Sequence, residues 1–82
     1  MNSQSFDVGD TVRVRSTPTT QAAGVAGLIG SVYDIAILYI SGGLVIGQPS
    51  EDPAINVFFK ERNQQLWFES DLLEFVDHGA GA

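Results

Sequence analysis

The stretch Ile55-Asn56-Val57-Phe58-Phe59, Lys60-Glu61-Arg62-Asn63, Gln64-Gln65-Leu66-Trp67-Phe68 decides the fold class. Two runs of β-branched and aromatic residues flank a charged, Asn-containing turn, the pattern of a β-hairpin. After it, Glu69-Ser70-Asp71 opens a short helical turn through Leu73, and Glu74 to Val76 forms a last strand. Near the start, Thr11 to Arg15 alternates, with Val12 and Val14 on one face and Arg13 and Arg15 on the other. That is a half-buried strand.

Between these lie less regular segments. Ser16 to Ala23 holds Pro18, three Thr and two Ala and reads as a loop. Gly24, Gly27 and Gly30 lead from a turn into a strand, with Gly30 at a bulge or tight bend. Ser31 to Ile40 reads as strand, but Ile35-Ala36-Ile37-Leu38-Tyr39-Ile40 is apolar on both faces. A small barrel strand needs only one buried face, so a partner is expected on the other. The outward set is either Ile35, Ile37 and Tyr39 or Ala36, Leu38 and Ile40. Ser41-Gly42-Gly43 is a turn, Leu44-Val45-Ile46 a short apolar piece, and Gly47 to Pro53 a loop. The expected architecture is all-β: a small barrel of about five strands with a short helical turn near the C-terminus. Its organisation is a disordered start over 1–5, one domain over 6–77 and a flexible tail over 78–82.

Composition narrows the function classes. The chain has 82 residues and no cysteine, which excludes disulfides and thiolate metal sites. A core this small is marginal, and self-association is an economical source of further burial. Four Lys and Arg against ten Asp and Glu leave a net charge of −6. Nucleic acid and anionic membrane surfaces are therefore not expected partners, since both require cations to neutralise phosphates. The first ten residues are polar, without the basic start and apolar stretch of a signal peptide. The run Ile35 to Ile40 is too short to span a bilayer. These features imply a cytoplasmic protein.

The strand order resembles an SH3-like barrel. Val8-Gly9-Asp10-Thr11-Val12-Arg13-Val14 is similar to the opening strand of many such domains. Gly27-Leu28-Ile29-Gly30-Ser31-Val32 is similar to their step into strand two, and Trp67-Phe68 through Leu72-Leu73-Glu74-Phe75-Val76 to their closing turn and strand. The resemblance covers residues 6 to 77. The whole chain resembles a group of small bacterial proteins of the kind carried on mobile, integron-type gene cassettes, which implies a fold and no activity. Among SH3-like relatives, the plasmid-borne, trimethoprim-resistant dihydrofolate reductase lines its pore with a Val-Gln-Ile-Tyr strand. Gln65-Leu66-Trp67-Phe68 falls at that place, without the amide and phenol at the matching positions. The ferredoxin-docking SH3-like subunits of photosynthetic electron-transfer complexes present basic surfaces. A role of that kind would require Arg13, Arg15, Lys60 and Arg62 to share one face.

Catalytic constellations are sparse. His78 is the sole histidine and is expected in solvent, and with Asp77 alone it does not make a metal site. No Ser-His-Asp set can be assembled around it. Glu69, Asp71 and Glu74 have acid–base spacing, but capping of the short turn by Glu69 or Ser70 is the more economical role. Glu51-Asp52 reads as a solvated loop tip. Gly24 to Gly30 lacks the Gly-Lys-Ser/Thr close of a phosphate loop. No catalytic, cofactor-binding or metal-binding residue is assigned, and no cofactor is expected.

Aromatic residues are the enriched resource: Phe6, Tyr33, Tyr39, Phe58, Phe59, Trp67, Phe68 and Phe75. Neighbours on a strand face opposite sides, so one member each of Phe58-Phe59 and Trp67-Phe68 points outward. The expected interface comprises Ile35, Ile37, Leu38, Tyr39, Ile40, Phe58 and Trp67. The expected function is a non-enzymatic module that self-associates as a homodimer or homotetramer and mediates interaction with another protein. The competing expectation is a small-molecule-binding or reductase-like enzyme whose site forms at a subunit junction. A module reading proline-rich ligands is a third reading, for which the scattered aromatics outline no groove.

Overall fold

A computed structural model of the chain describes residues 6–36, 45–47 and 53–79. Five strands form one antiparallel sheet: β1 Thr11–Val14, β2 Ile29–Ala36, β3 Ala54–Phe59, β4 Gln64–Glu69 and β5 Leu73–Asp77. Their order across the sheet is β4-β3-β2-β1-β5. β4 and β5 therefore occupy opposite edges, yet only the 3-10 turn Ser70–Leu72 joins them. In a flat sheet the two would stand four strand spacings apart, about 19 Å. Four residue steps reach at most about 14 Å even when extended. The sheet must curl until its edges approach, which makes it the small SH3-like barrel expected from the strand pattern.

The inward positions supply the core: Phe6, Val12, Val14, Val25, Val32, Ile55, Val57, Phe59, Phe68 and Leu73. Val12 and Val14 are inward and Arg13 outward, as the alternation requires. The hairpin pairs Phe59 with Gln64 and closes through Lys60–Asn63. Asn63 adopts φ 49° there, a left-handed conformation that Asn tolerates better than most residues. Phe59 and Phe68 are the inward members of their aromatic pairs and meet edge to face, with ring centroids 5.9 Å apart.

Four details differ from expectation. The segment read as a loop over Ser16 to Ala23 contains a one-turn helix, α1 Pro18–Ala22. Thr17 caps it, Pro18 stands in its first turn, and Thr17 and Thr20 form a reciprocal capping box. Thr and Pro suggested irregular chain, but at these positions they are helix-start residues. β2 begins at Ile29, so Gly30 lies inside the strand instead of at a bulge. The register shift falls between Val32 and Asp34, leaving Tyr33 as the extra residue, 60% exposed. A second shift, between Thr11 and Val12 on β1, leaves Val76 extra on β5. Finally, Glu69 holds the N-cap position of the 3-10 turn without a side-chain capping bond, and Ser70 is the turn's first residue.

The Thr20 side chain is fully buried, and its hydroxyl donates to the Arg15 carbonyl at 2.6 Å while accepting from the Thr17 amide at 2.9 Å. Thr20→Val keeps the shape and strands both partners. It should cost about 1–3 kcal/mol. In a domain of this size that lowers Tm by roughly 4–8 °C per kcal/mol, readable by differential scanning calorimetry.

Contacts run two residues past 77. The His78 Nδ1 lies 3.3 Å from the Asp10 carboxylate, and the Gly79 amide donates to Asp77 at 2.8 Å. Asp10 is buried, and its other carboxylate oxygen accepts the Asp7 amide at 2.9 Å, closing the turn before β1. Residues 80–82 and 1–5 lie outside the described residues. Among the described residues no helix is long and apolar enough to cross a membrane.

Candidate functional site: two outer faces of the barrel

Register assigns the outward side chains to rows. On β2, β3 and β4 the rows are Ala36–Ala54–Glu69, Asp34–Asn56–Trp67 and Ser31–Phe58–Gln65. Phe58 and Trp67 are thus diagonal neighbours on one face, as the adjacent-pair argument expects, and both are half-buried. Between them Asn56 is only 4% exposed, and its Oδ1 has no hydrogen-bond partner. β3 is therefore buried on its outward side at Ala54 and Asn56 as well as on its core side.

Of the other expected interface residues, Ile35 pairs with Ile55 and packs against the core, which leaves Ala36 on the outward side. Ile37, Leu38, Tyr39 and Ile40 lie outside the described residues. Ile46 runs along the free edge of β4, its amide donating to Trp67 and its carbonyl accepting from Glu69, each at 2.9 Å. Part of that edge is thereby covered.

The second face bears on the requirement that Arg13, Arg15, Lys60 and Arg62 share one side. Arg13 stands between Ile29 of β2 and Glu74 of β5, with its guanidinium 3.5 Å from the Glu74 carboxylate. Two further backbone bonds, Val14 to the Leu28 carbonyl and Gly27 to the Val14 carbonyl, set both Gly27 and Leu28 against Val14, with Gly27 at φ 81° as the bulge residue. On the other side of β2, Ser31 pairs with Phe58, so the same register brings Lys60 opposite Ile29. Lys60 and Glu61 line an open cleft of about 480 Å³ with Gly27, Leu28 and Ile29. Arg62 donates to the Gly24 carbonyl at 3.2 Å.

Arg13 and Lys60 therefore flank Ile29 from the two sides of β2. Among the described residues Arg15, Lys60 and Arg62 have no carboxylate ion pair. Glu74 pairs with Arg13 and Glu61 lines the cleft beside Lys60, so among the described residues each of these two cations has an acid next to it. Asp7, Asp10 and Asp77 gather at the opposite end of β1. Sequence contained half of this signal, the Arg13/Arg15 alternation. The other half required knowing that the β3–β4 turn lies across β2 from β1.

His78 is 83% exposed at its side chain, and its ring meets Phe75 edge to face at 5.0 Å. Among the described residues no group of three or more His, Asp or Glu side chains is placed to hold a metal ion. Of the three spaced carboxylates, Glu74 pairs with Arg13 and Asp71 is exposed on the 3-10 turn. No family model matches the chain, and no curated protein and no solved structure matches it.

Proposed function

We propose that this chain is a non-enzymatic SH3-like interaction module that self-associates through the outward face of β2, β3 and β4. The observation that carries this reading is the diagonal pair Phe58 and Trp67, two outward aromatics on neighbouring strands that stay only half-buried. Their burial against a second copy supplies the apolar part of the interface.

Trp67 is the chain's only tryptophan, so its fluorescence reports on this face alone. Sedimentation should show an oligomer at ~100 μM, and dilution through a ~μM Kd should shift the Trp67 emission to the red. Phe58→Lys should give a folded monomer at the same concentration, because a rim aromatic is replaced without touching the core. A wild-type monomer at ~100 μM sinks the reading.

A further inference from the structure

We infer that the end of the barrel around Val8 and Tyr33 is a docking site for a basic, extended segment of a partner protein, with an Arg of that segment lying on the Tyr33 ring. This surface is separate from the aromatic pair Phe58 and Trp67. It belongs to β2, β1 and the turn before β1, and only Asp34 shares a row with the self-association face. Among the described residues Val8 and Tyr33 are the most exposed large apolar side chains, at 64% and 60%. The backbone sets them side by side. The turn Asp7–Asp10 closes through the Asp10 amide on the Asp7 carbonyl at 3.0 Å. Its Gly9 amide donates to the Val32 carbonyl at 2.8 Å, so Val8 and Tyr33 are the next residues along from a bonded pair. Tyr33 is the extra residue of the β2 register shift, and neither it nor Asp34 enters the core.

Three exposed carboxylates accompany this pair. Asp7 precedes Val8 and Asp34 follows Tyr33. Asp77 pairs with Thr11 and is kept at this end by Gly79, which packs on the Gly9 carbonyl. Among the described residues none of the three has an ion pair. Asp10 is buried and faces His78, so it adds little to the outer surface. The chain's four Lys and Arg all stand elsewhere. Arg13 is paired with Glu74, Arg15 lies further along the chain from this turn, Lys60 lines the cleft at Ile29, and Arg62 reaches the Gly24 carbonyl. The patch is therefore apolar at its centre and uncompensated negative at its rim. Arg suits both parts: its guanidinium stacks on an aromatic face while its N–H fork reaches a carboxylate. An apolar neighbour in the segment covers Val8. A second copy of this chain is a poor occupant, because each copy carries −6 and its Arg13 and Lys60 already have acids beside them.

The test is a nuclear magnetic resonance titration of the isotope-labelled full chain. The probe is a peptide of about ten residues with Arg at alternate positions and a single central Leu, compared with its Glu-for-Arg counterpart. Amide shifts are expected at Val8, Gly9, Tyr33, Asp34 and Asp77, with the Glu peptide silent. Binding should weaken at least about tenfold between ~50 mM and ~500 mM salt. Asp34→Asn, which keeps the oxygen that accepts the Ile35 amide, should weaken it about threefold. Tyr33→Ala, which leaves the charge unchanged, should also weaken it about threefold, with spectral dispersion retained. Glu61→Gln removes the same charge at the far end and should leave the affinity within about twofold. Running the titration on Phe58→Lys separates this site from the oligomer interface, and the same shifts are expected there. The inference is overturned by an absence of shifts at these residues at ~1 mM peptide and low salt. Equal binding of the Glu peptide, an unchanged affinity in Tyr33→Ala, a Glu61→Gln effect as large as that of Asp34→Asn, or shifts centred on Trp67 would each overturn it too.

Discussion

Phe68→Ala should remove about 3–5 kcal/mol of stability at 25 °C. Phe68 is fully buried, its ring contacts Phe59 edge to face, and its strand is held from the far edge by Ile46. Removing the ring takes away its transfer free energy and opens a cavity that a β-sheet closes poorly, together about 3–5 kcal/mol. The aromatic contact accounts for roughly 0.5–1.5 kcal/mol of that loss. A folded chain of 82 residues has roughly 4–12 kcal/mol of stability in total. Circular dichroism during urea titration should show the midpoint lowered by at least about 1 M. A variant that retains a midpoint within ~0.5 M of wild type would mean Phe68 does not stand in the core.

Gly30→Ala should destabilise by about 3 kcal/mol, the upper part of the overpacking range. On propensity alone the sign would be opposite, since replacing glycine inside a strand relieves about 0.5–1 kcal/mol of unfolded-state entropy. Geometry decides the sign. A Cβ at Gly30 would meet the Phe58 carbonyl oxygen and Val57 Cγ1 at 2.6 Å and Phe59 Cδ1 at 2.9 Å. Val57 and Phe59 are themselves core residues, and the Phe58 oxygen belongs to the neighbouring strand's backbone. Adding Val57→Ala to Gly30→Ala removes the Val57 clash and leaves those with the Phe58 carbonyl and the Phe59 ring. The double variant should therefore stay below Val57→Ala in stability. Gly30→Ala at wild-type stability would contradict the close passage of β2 over β3.

Much of the fold was legible because its signals are local. The hairpin from Ala54 to Glu69 follows from two β-rich runs around a turn, and β1 from alternation. The 3-10 turn was readable in Glu69-Ser70-Asp71, because a short polar step between two apolar strands can do little else. The helix Pro18–Ala22 was missed because its residues are equally common in loops. What selects the helix is Thr20, whose hydroxyl ties back to both Thr17 and Arg15. The bulge at Tyr33 was misplaced to Gly30 because glycine at a strand entry signals either a bulge or a close approach. Only the position of β3 distinguishes them.

The candidate sites divide the same way. Alternation determined that Phe58 and Trp67 point away from the core, and that Arg13 and Arg15 share a side, because side-chain direction in a strand has period two whatever the strand's neighbours are. Composition determined the net charge of −6, and with it the expectation against nucleic acid. Neither determines which rows meet across strands. Tertiary structure alone brought Lys60 across β2 from Arg13, and put Asn56 between Phe58 and Trp67 without a donor. Those placements depend on strand order and register. These are set by the summed burial of the core side chains, ten of them among the described residues, and by the curling that a three-residue link imposes on the sheet, quantities that no single stretch of sequence contains.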